Sequence, residues 1–411
     1  MTVLLVSEPG VDGVFRYVEG LTHFLLARGV RVHLAYSDRR GSEALVRLVA
    51  TIRHHGGETL NLATSNVPQP ADVRAWFALL SLVRRTRPDI IHSHSSKAGA
   101  LARSLGLVGI RLPQVYHAHA YAGMRPQPRG LRLLYDGVER LLGHFGMTIN
   151  CSRDEQAYAH QRLHLPADRT VCIPNSVDTR KFTPPVNGQK ADLRELFGLP
   201  AGALILGSLG RASMQKDPLT LYRAFALARK TEPNLALFHL GCGELDAELD
   251  RFVREHGLQA HVFRRDYLAT TVDFYRSVDG FILTSRYEGM SLGALEAMAC
   301  DLPLILSRAP GNDELIGLPL SHLRSAPVGD TAGFARAICD WAAACRARAT
   351  PSNHRSSAQA CFDTNTNLLD VLALYHRLAA RAARPLFNPG DASPPLRAGT
   401  PSSGPAAGNT R

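Results

Sequence analysis

The sequence lacks the features of several broad protein classes. Its seven cysteines among 411 residues are scattered, and no two form a C-x-x-C pair, which argues against a disulfide framework and a structural zinc site. No stretch approaches the roughly 20 apolar residues that span a bilayer. Ser7 and Glu8 interrupt the first apolar run well before it reaches the length of a signal-peptide core. We therefore expect a cytoplasmic protein, soluble or peripheral to a membrane.

The sequence also has too few acidic residues to balance its basic ones. The formal net charge is +11, and residues 1–178 hold much of the excess, with 21 basic and 14 acidic side chains. No zinc finger, RNA-binding aromatic motif or block of Lys and Arg accompanies this charge, so we expect no nucleic-acid partner. A site for phosphorylated ligands and peripheral contact with an anionic membrane account for the charge equally well.

Short buried runs alternate with helical stretches twice along the chain. The predicted strands are residues 3–6, 32–36, 89–92, 114–117 and 147–149 in the first series, and residues 203–208, 236–240, 261–263, 280–284 and 302–306 in the second. Strand and helix in alternation predict a parallel sheet with helices on both faces. The predicted fold class is α/β, with two doubly wound, Rossmann-like parallel-sheet domains that face each other across a cleft.

Composition divides the chain into five segments. Residues 1–178 and 199–366 are the two predicted domains. Residues 179–198 contain Pro-Pro and Asn-Gly pairs and are predicted to be a linker. Residues 367–384 form a last amphipathic helix, and residues 385–411 are rich in Pro, Gly, Ser and Ala, which predicts a disordered tail.

The strongest chemical signal is SRYEGMSLGALEAMA, residues 285–299, which follows a predicted strand and runs into an apolar helix. Glu288 precedes the helix and Glu296 lies about five residues into it. Between them, the backbone N–H groups of Met290, Ser291 and Leu292 at the helix start suit a phosphate, and Gly289 lets the backbone approach a ligand closely. This arrangement fits a ligand with hydroxyl groups on both sides of a diphosphate. A solvated loop Glu with a surface Glu on the helix is the alternative.

The second signal is LGRASMQKDP, residues 209–218, again directly after a strand. Arg211 and Lys216 place a guanidinium and an ammonium group in one loop, beside Gly210. A pair of this kind is suited to neutralising a diphosphate. Two solvated charges are the alternative, but the loop is predicted at the same edge of the same sheet as Glu288.

The first domain carries weaker signals after its strands. His117 and His119 are two apart on an extended segment, which leaves open a metal ion, a hydrogen bond to a sugar hydroxyl, or a buried structural role. The sequence offers no third ligand of suitable type near them. Gly13 is a candidate for close approach to a phosphate, although G-x-G-x-x-G spacing is absent.

Ser95, Ser96 and Lys97 lie at the predicted start of another helix. There they could bind an anionic group on the acceptor side of the site. Simple N-capping by a serine is the alternative.

Taken together, these motifs resemble glycosyltransferase family 4. Glu288 and Glu296 reproduce its E-x(7)-E motif within EG…LEAMA, and GRASMQKD resembles its Arg and Lys loop. IPNSVDTRKF (173–182) is similar to its NGVD…F turn, APGNDELI (309–316) to its GG-x-x-E loop, and VYHAHAY (115–121) to its V-Y-T-A-H-G-F segment. The resemblance covers roughly residues 3–383, and SSKAG is similar to members that build bacterial exopolysaccharide, capsule or O-antigen.

The resemblance implies the GT-B architecture and a role for each matched residue. The second domain would hold a nucleotide-sugar donor and the first would hold the acceptor. Arg211 and Lys216 would bind the diphosphate, Glu288 the transferred sugar and Glu296 the ribose, and His119 would reach the transferred sugar. The last helix would cross back onto the first domain.

The resemblance further implies a retaining transfer of a hexose or N-acetylhexosamine from UDP- or GDP-sugar to a saccharide, and we expect this acceptor to be lipid-linked. The departing phosphate would assist the acceptor hydroxyl, so neither a cofactor nor a metal is expected. Two alternatives stay open: a GT-B UDP-sugar epimerase, which needs no acceptor, and a non-catalytic partner in a polysaccharide assembly complex.

The sequence departs from the family pattern at three turns. Asp301 stands where EAMA-x-G has its second glycine, Ser176 replaces the glycine of NGVD, and Ala309-Pro310 replaces the first glycine of the GG pair. None of these changes removes a candidate catalytic group. They leave open whether the turns adopt the usual geometry.

Overall fold

The computed structural model describes residues 1–10, 12–39, 41–65, 68–268, 270–347 and 352–383. Within these ranges the alternation seen in the sequence forms two sheets, one of seven strands and one of six. The tail predicted to be disordered, residues 385–411, lies outside the described residues.

The first sheet is parallel throughout. Its elements, with the helices between the strands, are β1 (Thr2–Ser7), α1 (Asp12–Leu26), β2 (Arg31–Tyr36), α2 (Glu43–His54), β3 (Thr59–Asn61), α3 (Ala71–Thr86), β4 (Ile90–His94), α4 (Ser96–Arg103), β5 (Gln114–His117), α5 (Arg129–Leu142), β6 (Met147–Asn150), α6 (Arg153–Ala157) and β7 (Thr170–Cys172). The strand order is β3-β2-β1-β4-β5-β6-β7. It reverses between β1 and β4, and ligands bind in open α/β sheets beyond the carboxyl ends of the strands at such a switch point.

The second sheet repeats this plan. Its elements and the helices that follow are α7 (Gln189–Phe197), β8 (Leu204–Leu209), α8 (Pro218–Ala228), β9 (Leu235–Leu240), α9 (Asp246–Glu255), β10 (Val262–Arg265), α10 (Thr271–Ser277), β11 (Gly280–Leu283), α11 (Leu292–Ala299), β12 (Leu304–Arg308), α12 (Asp313–Ile316), β13 (Leu323–Pro327), α13 (Thr331–Arg346), α14 (His354–Cys361) and α15 (Thr364–Ala383). The order is β10-β9-β8-β11-β12-β13, with the switch point between β8 and β11. The predicted class, two doubly wound parallel-sheet domains, is confirmed.

Helix α15 follows the second sheet in sequence but packs on the first. Leu368, Val371 and Tyr375 are buried in the same apolar cluster as Val3 and Leu5 of β1. Parallel strands buried on both faces are apolar almost throughout, which is why β1 reads as the run VLLV. Where the chain crosses between the sheets, the Val177 N–H donates to the Phe362 carbonyl oxygen at 2.8 Å. The two crossing segments therefore run side by side.

The strands that sequence analysis missed lie mostly at sheet edges. β3 and β7 have three residues each, and β13 exposes or half-exposes all but one of its five. An edge strand has a neighbour on one side only, so it need not carry a continuous apolar run. The periodicity that identified the central strands was consequently absent.

The segment predicted to be a linker, residues 179–198, is irregular only in part. Its second half forms α7, whose Leu193 and Phe197 are buried in the core of the second sheet. The helix ends at Gly198, whose φ of 69° is the left-handed conformation that terminates helices. The prediction weighed the Pro-Pro and Asn-Gly pairs and overlooked the short apolar repeat after them.

The turn after α11 keeps a glycine-like conformation without glycine. Asp301 has φ 61°, and its Oδ1 accepts a hydrogen bond from the Arg355 N–H at 3.0 Å. Asp and Asn tolerate this region better than other side chains, because they form local hydrogen bonds. Asp301 thus adopts the left-handed conformation that a glycine favours at such a turn.

Candidate functional site

Glu288 and Lys216 form an ion pair at the carboxyl ends of two neighbouring strands. β8 and β11 pair side by side, so the loops that follow them meet at the same edge of the sheet. Lys216 Nζ lies 2.6 Å from Glu288 Oε1. Glu288 is only 6% exposed, and its backbone N–H donates to the Pro310 carbonyl oxygen at 2.9 Å. The structure thus brings together the two strongest sequence signals.

Arg211 and Gly210 belong to the same loop as Lys216. Arg211 is exposed, and its charge acts on Tyr287, whose pKa is raised chiefly by burial. A Cβ atom built on Gly210 would lie 3.3 Å from the Lys216 side chain, so the glycine leaves space for the lysine. The loop after β8 therefore presents two cationic groups beside Glu288, which suits a diphosphate.

The amino terminus of α11 lies directly after Glu288. Ser291 is its N-cap, and its hydroxyl accepts a weak hydrogen bond from the Ala294 N–H at 3.4 Å. In the described part of the chain, the N–H groups of Met290, Ser291 and Leu292 donate to no other residue. The helix start can therefore offer three donors and its positive dipole end to an anionic ligand.

Glu296 makes a contact between the domains that the sequence did not indicate. It is 3% exposed, and its Oε2 accepts a hydrogen bond from the Tyr275 hydroxyl at 2.8 Å. Its Oε1 pairs with Arg16 of α1 in the first domain. Arg16 is the fifth residue of α1, which begins at Asp12. A ribose at Glu296 would share this carboxylate with Arg16.

Two glycines let the backbones approach closely around Glu288. A Cβ atom on Gly311, whose φ is 84°, would lie 2.4 Å from the Glu288 carbonyl oxygen. A Cβ atom on Gly289 would lie 3.0 Å from the Ala120 nitrogen and from Glu155 Oε1. The structure thus shows Gly289 in close approach to the first domain, a role different from the approach to a ligand that the sequence suggested.

His119 reaches this junction on a backbone held in an unusual conformation. His119 has φ 52° and Ala120 has φ 84°, which are sparsely populated for residues other than glycine. The buried Glu155 carboxylate holds the turn, since it accepts hydrogen bonds from the Ala120 N–H and, at 2.8 Å, from the Cys151 N–H. Glu155 was missed because it lies 35 residues from Ala120 in sequence.

The His119 ring is electrically neutral at physiological pH. Burial lowers its pKa to about 3, so the ring can donate and accept hydrogen bonds but carries no charge. It stacks on His117 with ring centroids 3.7 Å apart, and its Nε2 lies 3.2 Å from His94 Nδ1. A neutral imidazole of this kind suits a sugar hydroxyl better than a phosphate.

Three further histidines surround His119. Nitrogen atoms of His92, His94 and His117 all lie within 4.8 Å of one another, and all three side chains are buried. Burial lowers the pKa of each well below its usual value, and neutral imidazole is the form that binds metals. The sequence showed only His117 as a partner for His119. The H-x-H repeat of β4, which lies beside β5 in the sheet, was the overlooked signal.

The predicted anion-binding serines and lysine lie near the start of α4. Lys97 Nζ lies 2.5 Å from Asp72 Oδ2, so its charge is paired with a carboxylate. Ser95 precedes the helix with φ 80° and makes no capping hydrogen bond through its side chain, so the N-capping alternative is wrong for this residue. Ser96 is the first residue of the helix. The three predicted acceptor-side residues thus lie together at the start of α4, and their role in binding an acceptor stays a prediction.

Gly13 lies in the first turn of α1. A Cβ atom on Gly13 would lie 3.5 Å from Leu292 Cδ1. The amino termini of α1 and α11 therefore approach each other from the two domains. Two positive helix ends converge where the sequence predicted phosphate contacts.

Comparison with protein families divides the chain into two matches. Residues 11–181 match the model described as Glycosyltransferase Family 4. Residues 189–341 match the model described as Glycosyl transferases group 1. The first match includes strands β2 to β7 of the first sheet, and the second match includes all six strands of the second sheet.

Two named relatives are similar over 61% and 74% of this chain. A UDP-Gal:alpha-D-GlcNAc-diphosphoundecaprenol alpha-1,3-galactosyltransferase from Escherichia coli is 29% identical over 258 residues, which is 61% of this chain and 66% of the relative, just under two thirds. A D-inositol 3-phosphate glycosyltransferase from Arthrobacter sp. (strain FB24) is 27% identical over 335 residues, 74% of this chain and 77% of that one.

Solved structures share the whole fold at low identity. HepE from Anabaena, solved with UDP-glucose, matches with a TM-score of 0.77 at 20% identity, covering 92% of this chain and 100% of that one. Sucrose-phosphate synthase from Thermosynechococcus elongatus matches with a TM-score of 0.76 at 22% identity, covering 93% and 100%. Among the helices of the described ranges, none combines the length and apolar composition needed to span a bilayer.

Proposed function

We propose that the chain, which matches a family 4 model followed by a group 1 model, is a retaining glycosyltransferase of bacterial surface polysaccharide synthesis. It transfers a hexose or N-acetylhexosamine from a UDP- or GDP-sugar to a lipid-linked saccharide. The name of the Escherichia coli relative, which includes a UDP-sugar and a diphosphoundecaprenol acceptor, supports this choice. The binding of UDP-glucose by HepE supports a nucleotide-sugar donor.

The observation that carries the proposal is the Lys216–Glu288 pair beside the start of α11. Lys216 Nζ is 2.6 Å from Glu288 Oε1, so a cation for the phosphate and an acceptor for sugar hydroxyls lie next to each other. The cationic Arg211 lies in the same loop as Lys216. A nucleotide sugar has this sequence of groups: sugar hydroxyls, then two phosphates, then ribose. Glu296, which lies near the middle of α11 beside Arg16, would bind the ribose.

The proposed catalysis is electrostatic. The bond from the anomeric carbon to the diphosphate oxygen breaks, and the bond to the acceptor oxygen forms on the same face of the sugar. The proton of the acceptor hydroxyl passes to the departing phosphate oxygen. Arg211, Lys216 and the amino terminus of α11 stabilise the negative charge that grows on that diphosphate. His119 holds a hydroxyl of the transferred sugar, and no protein carboxylate acts as an acid or base.

A lipid-linked acceptor would bring the enzyme to the cytoplasmic face of the membrane as a peripheral protein. The basic excess in residues 1–178, with 21 basic and 14 acidic side chains, is consistent with an anionic surface. The acceptor would then enter from the first domain, past Ser95 and Ser96.

Product analysis tests the proposal directly. The purified full-length chain is incubated with UDP-, GDP-, ADP- and TDP-sugars, with and without a diphosphoundecaprenol-linked saccharide. Donor binding is measured in parallel as a rise in melting temperature, because a ligand that binds the folded state stabilises it by mass action. We expect transfer with one UDP- or GDP-sugar only when acceptor is present. The new linkage should keep the anomeric configuration of the donor, which NMR of the product reads.

Three results would contradict the proposal in different ways. An epimerised sugar formed without acceptor would indicate the epimerase alternative. An inverted linkage would rule out the retaining mechanism. Donor binding without transfer to any saccharide, lipid-linked or soluble, would favour a non-catalytic partner.

A further inference from the structure

Helix α5 is inverted relative to an ordinary surface helix. Its outward face carries large apolar side chains that solvent reaches: Leu131 is 40% exposed, Leu133 61%, Leu134 61%, Val138 39% and Leu141 58%. A surface helix normally turns its apolar stripe toward the core and its charges toward water. Five large apolar residues on the water side of a 14-residue helix therefore need a partner that is not water.

The inward face of α5 is polar, and its charges are fully paired. Asp136 and Glu139 are 3% and 4% exposed. Glu139 accepts hydrogen bonds from Arg103 Nη2 at 2.7 Å and from the Tyr116 hydroxyl at 2.9 Å. Asp136 accepts from the Tyr158 hydroxyl at 2.6 Å and from Arg162 Nε at 2.9 Å.

These contacts fix the rotation of the helix about its axis. Turning α5 to bury its leucines would bring two carboxylates to the surface and leave Arg103, itself 1% exposed, as a buried charge without a partner. Breaking a buried ion pair in this way is strongly unfavourable. The outward leucines are thus a stable feature of the folded domain.

The exposed charges around this apolar face are basic. Within residues 125–144, all of them described, the two acidic side chains are the buried Asp136 and Glu139, whereas Arg125, Arg129 and Arg140 are exposed. An apolar face bordered by arginines is the pattern of a helix that lies in the interface of an anionic bilayer. A second copy of the chain would instead bring arginines against arginines.

The apolar surface continues beyond the helix. Phe145 lies three residues after the end of α5 and packs against Gly106. A Cβ atom built on Gly106 would lie 2.3 Å from the Phe145 ring. Next to Gly106, Leu107 is 58% exposed and Val108 is 52% exposed. These residues enlarge the apolar face at the carboxyl end of α5 and add no charge.

The helix also packs against the segment that follows His119. A Cβ atom on Gly123 would lie 2.2 Å from Asp136 Oδ1 and 2.2 Å from the Tyr158 hydroxyl. A surface seated on α5 would accordingly lie close to the turn that carries His119. That is where an acceptor anchored in a bilayer would need to arrive.

We propose that α5 docks the enzyme on an anionic lipid bilayer, with Leu133, Leu134 and Leu141 inserted among the lipids and Arg129 and Arg140 on the headgroups. This inference rests on the proposed function for its purpose, the delivery of a lipid-linked acceptor. The binding itself can be measured without donor or acceptor.

The test is co-sedimentation of the full-length chain with vesicles of phosphatidylglycerol and phosphatidylethanolamine, and with vesicles of phosphatidylcholine alone. We expect binding to the anionic vesicles and a fall of at least about tenfold in affinity when Leu133, Leu134 and Leu141 are all replaced by Gln. The matched control replaces three exposed apolar residues elsewhere, Val46, Val186 and Leu196, which are 70%, 72% and 72% exposed; it should bind like the wild type.

Two further variants separate charge from apolar insertion and from misfolding. Arg129→Glu with Arg140→Glu should weaken binding to anionic vesicles and make the remaining binding less sensitive to salt, because fewer ionic contacts are left for salt to screen. All variants should keep the wild-type melting temperature, because the altered side chains are exposed. The leucine variant should keep its transfer rate on a short soluble acceptor and lose rate on an acceptor embedded in vesicles.

Wild-type vesicle binding in the leucine variant would overturn the proposal. So would a dimer in solution that the leucine substitutions dissociate, since the occupant would then be a second copy. If vesicle binding depends on α5 but no transfer is found, the docking surface stands and the proposed function fails. If transfer is found but vesicle binding is absent, the proposed function stands and the docking surface fails.

Discussion

The carboxyl edges of the two sheets carry opposite kinds of chemistry. At the edge of the second sheet, Lys216 pairs with Glu288 beside Arg211. At the edge of the first sheet, four histidines contact one another, and burial lowers the pKa of each. The groups that pair at the second edge are charged and the histidines of the first edge are neutral, although both edges lie next to a switch point in strand order.

The difference matches what each part of a nucleotide sugar requires. A diphosphate needs cations and oriented N–H groups, whereas a sugar hydroxyl needs only a neutral donor or acceptor. A cationic ring at His119 would compete with Lys216 and Arg211 for the diphosphate and misplace the donor. Because the His119 ring is neutral, the negatively charged diphosphate has a single cationic site, that of Lys216 and Arg211.

The largest effect is expected when a charged group is removed from the edge of the second sheet. We expect Lys216→Ala and Glu288→Gln each to lower kcat by about 10² to 10³, the usual effect of losing one preorganised electrostatic contact. The measurement is the initial rate of sugar transfer at saturating donor and acceptor.

The control for both variants is Glu255→Gln. Glu255 is an exposed residue at the carboxyl end of α9. This end of the helix lies at the edge of the sheet where the strands begin, away from the edge that carries Lys216 and Glu288. The control should transfer sugar at the wild-type rate, and all variants should melt like the wild type. Normal turnover in Lys216→Ala or Glu288→Gln would show that the site lies elsewhere.

The neutrality of the first edge predicts a pH dependence of stability. The ordinary histidine pKa of 6.5 applies to the unfolded chain, whereas the pKa of His119 in the folded state is about 3. Below pH 6.5 the unfolded chain binds a proton that the folded chain does not, so stability falls as the pH drops. Between pH 6.5 and pH 5 this one histidine should cost about 1.5 kcal/mol of unfolding free energy.

Denaturant unfolding of the wild type and of His119→Asn at the two pH values measures this loss. The variant should lose less stability than the wild type, and His144→Asn, on the surface of the same domain, is the control. Glu155 works in the opposite direction, since burial raises its pKa, but it is present in all three proteins. Equal losses in the wild type and His119→Asn would mean that His119 is not held neutral.

Parts of this comparison could be predicted from the sequence and parts could not. Lys216 and Glu288 follow two apolar strands, and the family motifs placed both at one sheet edge. The pairing of His92 and His94 with His117 depends on the register of β4 against β5, which places His94 beside His117. Apolar periodicity identifies a strand but does not give its neighbours, so the histidine group stayed hidden.

Contacts between the domains were beyond sequence reasoning altogether. Arg16 and Glu296 are 280 positions apart and belong to different domains. Nothing local in either segment indicates the other, because their contact follows from how two folded domains dock. The inward turn of Asp136 and Glu139 in α5 is similar, since their partners Arg103 and Arg162 come from other elements.

A smaller effect is expected from the Arg16–Glu296 pair, which joins the two domains. Arg16→Ala leaves Glu296 buried with Tyr275 as its remaining polar contact. Since Arg16 is about a third exposed (32%), solvent screens the pair, and we expect a loss of only about 1 kcal/mol of stability. The domains should also separate more easily, which small-angle scattering would register as a larger radius of gyration without donor.

Arg28→Ala is the control for that variant, since Arg28 stacks over the Phe24 ring 3.6 Å away within the first domain. It should leave the radius of gyration unchanged. If Arg16→Ala also leaves it unchanged, the pair does not hold the domains together.

The smallest effect we expect is that of metal removal. His92, His94 and His117 have the donor atoms and spacing for an ion, and three histidines are a set that can hold zinc. The proposed transfer relies on Arg211, Lys216 and a helix terminus for the diphosphate. Dialysis against EDTA should therefore leave the transfer rate unchanged, with elemental analysis showing no stoichiometric metal. The opposite result would be a bound metal whose removal abolishes transfer, with transfer restored by Zn²⁺ and the metal lost in His94→Asn. The histidine group would then be a metal centre.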